Sequence, residues 1–447
     1  MINRNFVRCK VCSQSYTLRI YVTSLNEVRH SFFCYSCAQP ISYRITKRAG
    51  KLFLRCENNC AKTRHEGMVV NISTEFPIER DIVHTDKIFP WLLLMQKAME
   101  QNPTQTKEWV EQNARVPPAS AKPKDFLQQE VEEATRRRVD LKDHWKFVDT
   151  AWSLYNDGKG DECFQYIEKN FKKLGYENHP HPRELIGDFL KSIGQKHAAA
   201  AYTATLDLWA DAWKKNPQEC ANLIMYFYKR DEFTRTLALM HNVCSNYMLH
   251  FDELMQLQWF YLLNLQLTDG LILGSNNFES VRGFYGDTFE RYSELLYMPT
   301  AIKNIVEGRS FDQLKHIDLE TYSKSEKARR IENLKELPRL DHLTSPFDPS
   351  IRNATHHARI EFDKKALLIA LKKGTKSKER GLTYVQYIDH CNRLFQAYVG
   401  LFLFCHEFIH GLENSFGLAH SLGVSLGELK INDPEFELWA NRGQADT

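Results

Sequence analysis

The sequence predicts a mainly α protein that begins with a small β module. Six of its 11 cysteines lie in the first 60 residues, and four of them form two Cys-x-x-Cys pairs. From residue 126 to about residue 246, apolar residues recur at helical spacing. A later segment carries an apolar seam in alternating steps of four and three residues, which is typical of helix-bundle packing. We therefore expect a cysteine-rich β module, a helical middle region and a C-terminal helical bundle.

The chain divides into five predicted segments at shifts of composition. A stretch rich in proline, alanine and serine at 116–123 is typical of a linker. The predicted segments are a β module at 1–75, a connector at 76–124, a helical middle region at 125–250, a helical bundle at 251–425 and a C-terminal tail at 426–447.

Composition restricts the possible partners. The 59 Lys and Arg residues nearly balance the 56 Asp and Glu residues, so nucleic-acid binding must depend on local basic patches. The longest apolar stretch, at 399–405, is far too short to span a bilayer, and no apolar segment follows the polar N-terminus. We therefore expect a soluble, cytoplasmic protein with no membrane partner.

The first two cysteine pairs predict a structural zinc site. Cys9-x-x-Cys12 and Cys34-x-x-Cys37 have the spacing of a zinc ribbon, with a strand-like alternation between them. Two such pairs supply four thiolates and leave no open coordination position, so this Zn²⁺ would be structural and take no part in catalysis.

A third pair leaves the role of two further cysteines open. Cys56 and Cys60 could close a site with the second pair, form a further site with His65, or be buried thiols. The hairpins of this module combine basic and aromatic residues, which favours single-strand nucleic-acid binding, although a solvated face has the same composition. Recognition of a protein is a further possibility.

The most informative motif of the chain comprises Arg352, Asn353 and His357. On a helix, Asn353 and His357 lie one turn apart, whereas Arg352 is rotated away from His357. Two copies that meet across a two-fold axis could bring both groups to one site. A histidine transfers protons near neutral pH and an arginine stabilises a phosphate, so the motif predicts cleavage of RNA phosphodiesters.

The motif resembles the Arg-Asn-x-x-x-His signature of the HEPN family. The resemblance implies a HEPN-like helical bundle and a homodimeric, metal-independent endoribonuclease that acts on RNA. It assigns proton transfer to His357, phosphate stabilisation to Arg352 and orientation to Asn353, with His356 as a less favoured substitute. It also implies a toxin or an effector of antiphage defence. A protein or nucleic-acid trigger that binds the zinc ribbon is a possible further partner.

The surroundings of the motif agree with this interpretation. Asp348-Pro349-Ser350 predicts a helix start just before Arg352, so that the positive helix end could help to hold a phosphate. A basic segment follows, and it would attract RNA. Its residues are Lys364, Lys365, Lys372, Lys373, Lys376, Lys378 and Arg380.

A second motif predicts a different enzyme. His406-Glu407-x-x-His410 matches the helix of zinc peptidases, in which two histidines bind the metal and the glutamate activates water. Because an apolar seam runs through the same helix, we favour histidines that flank a bundle core. The sequence is also compatible with a binding module that holds RNA without cutting it, and with a scaffold led by the zinc ribbon.

Overall fold

The computed structural model describes residues 2–21, 26–48, 51–104, 141–174, 176, 180–230, 232–356, 360–371 and 380–421. The predicted linker at 116–123 and the predicted tail at 426–447 lie outside these residues. Within them helices dominate and the strands form only small sheets, so the predicted mainly α class is confirmed.

Eight strands build the N-terminal β module together with one strand of the helical body. They are β1 (Ile2–Cys9), β2 (Ser15–Tyr21), β3 (Glu27–Phe33), β4 (Pro40–Arg48), β5 (Lys51–Cys56), β6 (Cys60–Lys62), β7 (Met68–Ile72), β8 (Ile78–Glu79) and β9 (Leu271–Ile272). One sheet has the order β6-β1-β2-β7 and a second has the order β3-β4-β5, while β8 pairs with β9. The pairs β1–β2 and β3–β4 are antiparallel hairpins, and each contains one Cys-x-x-Cys unit at its connecting turn.

The remaining chain is mostly helical. Its helices are α1 (Pro90–Gln101), α2 (Leu141–Asn156), α3 (Gly160–Asn170), α4 (Pro182–Ile193), α5 (Lys196–Lys215), α6 (Pro217–Lys229), α7 (Glu232–Leu249), α8 (Phe251–Leu254), α9 (Gln258–Leu262), α10 (Phe278–Val281), α11 (Phe284–Leu295), α12 (Tyr297–Val306), α13 (Leu319–Lys324), α14 (Glu332–Lys335), α15 (Asp341–Thr344), α16 (Pro349–His356) and α17 (Tyr384–Ser421). Short 3-10 helices occur at Arg80–Ile82, Phe171–Leu174, Met255–Leu257, Lys327–Arg329 and Pro338–Leu340.

Helix α17 lies at the centre of this helical body. Every residue of the predicted seam from Tyr384 to Cys405 is buried, but so are Leu394, Val399 and Leu401 on other sides of the helix. A helix that is apolar on all sides is surrounded by protein, and α17 contacts α4, α5, α7 and α11. The polar side chain of Gln396 is also buried on this helix, and its oxygen accepts a hydrogen bond from the Gln195 backbone N–H at 2.8 Å.

A close helix crossing joins the predicted middle region to the C-terminal region. At Gly400 on α17, an added Cβ would lie 2.3 Å from the carbonyl oxygen of Ala198 on α5. Only glycine permits this approach, and the small side chain of Ala201 lies beside it. Regions 125–250 and 251–425 thus share one continuous core along α5 and α17.

The segment after the motif forms a sheet between α16 and α17. Strands β10 (Ile360–Asp363), β11 (Leu368–Leu371) and β12 (Arg380–Thr383) are antiparallel neighbours in that order. Phe362 of β10 contacts Phe33 of the β module, with ring centroids 5.8 Å apart, and Tyr384 at the start of α17. The β module, this sheet and the central helix therefore meet in one aromatic cluster.

Candidate functional site

The two predicted zinc knuckles have matching local structures at the ends of two hairpins. In the first, the Ser13 N–H donates to the Cys9 carbonyl at 3.0 Å, and in the second the Ala38 N–H donates to the Cys34 carbonyl at 2.8 Å. Ser13 and Ala38 both adopt the left-handed backbone, with φ of 63° and 55°. The shared sequence Cys-x-x-Cys-x-Gln therefore folds twice into the same turn, a repeat that the spacing of the cysteines alone does not show.

Four cysteine side chains converge between these knuckles. The Sγ atoms of Cys9, Cys12, Cys34 and Cys37 all lie within 4.8 Å of one another. Cys9 and Cys37 are 3.8 Å apart at Sγ, and Cys12 and Cys34 are 3.5 Å apart. Because a tetrahedral Zn²⁺ with Zn–S bonds of about 2.3 Å needs sulfurs about 3.8 Å apart, these residues fit a four-thiolate metal site. The preferred pairing of the first and second Cys-x-x-Cys units agrees with this cluster.

Tyr16 stabilises the thiolate of one ligand. Its hydroxyl lies 3.0 Å from Cys34 Sγ, and it accepts the Tyr35 backbone N–H at the same distance. Burial alone would raise the pKa of Cys34, but the hydrogen bond from Tyr16 and those from neighbouring N–H groups lower the pKa to about 6. These hydrogen bonds therefore favour the ionised form of this one sulfur, which is the form that a metal binds.

The third cysteine pair lies beside this cluster but outside it. Cys60 is opposite Cys9 in the β1–β6 pairing, and its Sγ is 3.2 Å from that of Cys56. Among the described residues, the four-cysteine group is the one set that could hold a metal, and His65 does not join Cys56 and Cys60. The structure therefore agrees best with Cys56 and Cys60 as two adjacent thiols.

The Arg-Asn part of the C-terminal motif lies on α16, where the sequence predicts a helix start. Both Nε and Nη2 of Arg352 contact Glu290 Oε1 on α11, at 2.6 Å and 2.5 Å, and Nη1 donates to Asn353 Oδ1 at 2.8 Å. The Arg352 side chain is 27% exposed. Its guanidinium is thus held in one orientation at the protein surface.

Glu290 is a functional candidate that the sequence analysis did not identify. It also contacts Lys327 at 2.9 Å. Burial would raise the pKa of Glu290, but hydrogen bonds from Lys327 and Arg352 hold it below its usual range. No local pattern indicates this contact, because Arg352 lies 62 residues further along the chain.

The C-terminal end of α16 carries the first of the two motif histidines. His356 ends the helix and is exposed, and its ring packs against α11 where Gly286 leaves room: an added Cβ there would lie 2.7 Å from His356 Nε2. Gly286 therefore allows the motif helix to approach α11 closely. His357 lies outside the described residues.

The start of α16 is occupied by an acidic side chain. Asp348 Oδ1 accepts the Ser350 backbone N–H at 2.8 Å, and its second oxygen contacts Arg380. Burial raises the pKa of Asp348, but its hydrogen bonds with Ser350 and Arg380 outweigh this and hold the pKa below its usual range. Because this carboxylate already binds the helix end, the phosphate position expected there is filled.

A polar cleft lies beside Glu290. It has a volume of about 520 Å³, within the range of small-ligand sites. Asn242 and Asn246 from α7 line it. The charged residues of its lining are Asp287, Glu290, Arg291 and Glu294 from α11, and Lys327. Thr288 is buried in its lining, and its Oγ1 has no hydrogen-bond partner among the described residues.

The described part of the peptidase-like motif is engaged in packing. His406 is buried against α4, where an added Cβ at Gly187 would lie 2.9 Å from its ring. Glu407 accepts a hydrogen bond from the Tyr202 hydroxyl, and Lys191 lies 3.6 Å from it. The His410 side chain lies outside the described part of the chain. These contacts agree with a His406 that packs in the helical core.

Comparisons with protein-family models, with curated proteins and with solved structures find no match for this chain. No helix in the described ranges combines the length and the apolar character needed to cross a bilayer. The assignment of a function therefore rests on the residues themselves.

Proposed function

We propose that this chain is a metal-independent endoribonuclease of the HEPN type, with a composite active site formed by two copies of the chain. Arg352 binds the scissile phosphate, His357 transfers protons, and Asn353 orients these groups. The resemblance of the motif to the HEPN signature is the origin of the proposal. The orientation of Arg352 is the structural observation that supports it.

The guanidinium of Arg352 retains donors for a phosphate. Of its five N–H groups, two donate to Glu290 and one to Asn353, which leaves two. Glu290 and Asn353 fix the direction of these two donors before a substrate binds. Such preorganisation lets an arginine stabilise the charge that grows on a phosphate in the transition state.

The cleft beside Glu290 can hold a nucleobase rather than a phosphate, because three carboxylates line it against two cations. The carboxylates belong to Asp287, Glu290 and Glu294, and the cations to Arg291 and Lys327. Its amide groups, from Asn242 and Asn246, both donate and accept hydrogen bonds, as the edge of a nucleobase requires. A nucleotide seated there would place its phosphate near Arg352, because Glu290 belongs to both sites.

The proposed reaction needs no metal. The ribose 2′-oxygen attacks phosphorus while a histidine removes the 2′-hydroxyl proton. The bond from phosphorus to the 5′-oxygen then breaks, and that oxygen takes up a proton. The products are a 2′,3′-cyclic phosphate and a free 5′-hydroxyl. Two histidines suit these two proton transfers, which is a reason for a second copy at the site.

Cleavage of labelled RNA in the presence of a strong chelator tests the proposal. We expect Arg352→Ala and His357→Ala each to lower the rate at least 100-fold while His356→Ala has a small effect. Unchanged cleavage in both variants would reject the site. RNA binding with no cleavage by the unaltered chain would favour a binding module. Hydrolysis of a peptide substrate that is abolished both by the chelator and by Glu407→Gln would instead favour a zinc peptidase.

The composite site also predicts a dependence on protein concentration. Activity per chain should fall on dilution below the dissociation constant of the dimer, which analytical ultracentrifugation measures. A role as a toxin or defence effector follows from the same resemblance. Expression of the unaltered chain, but not of Arg352→Ala, should then arrest cell growth.

A further inference from the structure

The sheet formed by β3, β4 and β5 has one buried face and one exposed face. On β5, Leu54 is buried, whereas Lys51, Phe53 and Arg55 point to solvent. Alternate side chains of a strand face opposite sides, so these three residues form one row. The β4 neighbour of Lys51 is Arg48, which extends the same exposed face.

The cations of this face differ in their partners. Arg44 and Arg29 both contact Glu57, and Arg44 also contacts Glu27. Among the described residues, Arg48, Lys51 and Arg55 form no ion pair. We call Arg48, Lys51, Phe53 and Arg55 the β5 face. It presents three uncompensated positive charges around an aromatic ring.

Phe53 is the unusual member of the β5 face. It is a large apolar residue, yet it is 52% exposed, because it lies on the side of the strand that faces away from the core of the module. Charged residues on an edge strand prevent pairing between sheets, and this accounts for Lys51 and Arg55. It does not account for an exposed phenyl ring on the same strand, which by itself would favour aggregation. A ligand with a planar apolar surface and negative charge accounts for both.

We propose that the β5 face binds single-stranded RNA by stacking one base on Phe53 and by contacting the flanking phosphates with Lys51, Arg55 and Arg48. Lys51 and Arg55 lie four residues apart on the strand, about 13 Å at ~3.3 Å per residue, with Phe53 midway. Long side chains on both sides of a stacked base can therefore reach the phosphates that precede and follow it. The binding mode combines base stacking with backbone attraction and needs no particular sequence.

This surface is distinct from the cleavage site, and only the choice of RNA over DNA rests on the proposed ribonuclease function. The test uses fluorescence anisotropy of the full-length chain with a short uridine-rich RNA whose riboses are 2′-O-methylated. That RNA has no free 2′-hydroxyl and cannot be cut by the proposed reaction. Binding and cleavage can therefore succeed or fail independently.

Phe53→Ala should weaken binding of this RNA roughly 5- to 100-fold, the usual effect of losing one stacked base. Phe53→Trp should retain the affinity, and Phe164→Ala, at a ring that is 42% exposed on α3, is the matched control. Combined replacement of Arg48, Lys51 and Arg55 by Gln should lower the slope of log affinity against log salt by about 2.

Three results would overturn the proposal. They are unchanged binding in both Phe53→Ala and the triple variant, equal losses in Phe53→Ala and Phe164→Ala, and tighter binding of an RNA duplex than of the single strand. Tighter binding of the matching DNA strand would overturn the assignment to RNA. Zinc content and melting temperature, measured for each variant, identify any loss that comes from unfolding.

Discussion

The cysteine cluster and the Arg352 site differ in how the chain assembles them. All four thiolates come from two short turns with the same sequence pattern, so each turn positions two ligands by local backbone geometry. Arg352, in contrast, takes its orientation from Glu290, which reaches it only through the packing of α16 on α11. Local sites can be identified from spacing in the sequence, whereas sites built by tertiary contacts need the fold.

The largest expected effect tests the cysteine cluster, which is assembled by local turns. Cys37→Ser should abolish stoichiometric zinc binding and unfold the β module, since structural zinc contributes roughly 10–16 kcal/mol in small domains. Elemental analysis of the purified full-length chain measures the metal, and limited proteolysis reports the module.

Cys56→Ser is the matched control, because its thiol lies outside the four-cysteine group. It should leave the zinc content unchanged. Loss of zinc in Cys56→Ser would show that the third cysteine pair takes part in the site and that spacing identified only some of the ligands.

The next effect concerns the junction between the β module and the helical body. Glu253 is fully buried there and accepts hydrogen bonds from Ser275 and Tyr384, while Ser275 Oγ accepts the Ser31 N–H of the β module at 3.0 Å. Burial raises the pKa of Glu253 to about 7. The folded protein therefore binds this proton more tightly than the unfolded chain, and stability should fall as pH rises from about 4.5 to 7.

Glu253→Gln removes the titrating group and should eliminate this loss, which is on the order of 3 kcal/mol. Urea unfolding at several pH values measures it. Asp252→Asn, on the same short helix, is the control and should keep most of the slope, because the charge of Asp252 is a smaller cause of the raised pKa of Glu253 than burial. A slope that is unchanged in Glu253→Gln would show that the junction does not couple to this proton.

Some helices of the fold could be predicted from the sequence and others could not. The predicted start of α16 is confirmed, and the apolar seam lies on one long helix that begins at Tyr384, because proline, capping residues and heptad-like spacing are local signals. The charged composition of the segment at 323–337 is typical of a single exposed helix, but the structure shows no such helix there. That segment is broken into α13, a 3-10 turn and α14, with Ile331 and Leu334 buried.

Strands β10 to β12 could not be predicted for a different reason. Each has four residues, which is too few for a clear alternation. The partner of Arg352 could not be predicted because an ion pair between helices leaves no periodic trace in the sequence. The repeated Cys-x-x-Cys-x-Gln pattern, by contrast, is visible in the sequence and is enough to identify the matching turns.

A smaller effect tests the Arg352 site, which depends on a tertiary contact. Glu290→Gln removes the charge that holds Arg352 and should destabilise the packing of α16 on α11 by about 1–2 kcal/mol. Hydrogen exchange of residues 349–356 measures this directly. Glu294→Gln is the control, since Glu294 contacts Lys327 and Arg235 but has no contact with Arg352. Equal protection in both variants would contradict the role of Glu290.

The smallest effect separates local from tertiary contributions within α16 itself. Asp348→Ala removes the side chain that accepts the Ser350 N–H at the helix start and should cost about 1 kcal/mol. If this local contact is independent of the Glu290 contact, the unfolding free energies of Asp348→Ala, Glu290→Gln and the double variant should add within about 0.5 kcal/mol. Strong coupling would show that the helix start, which the sequence specifies, forms only when α11 holds Arg352. The motif helix would then depend on tertiary packing throughout, and the contrast with the cysteine turns would be sharper.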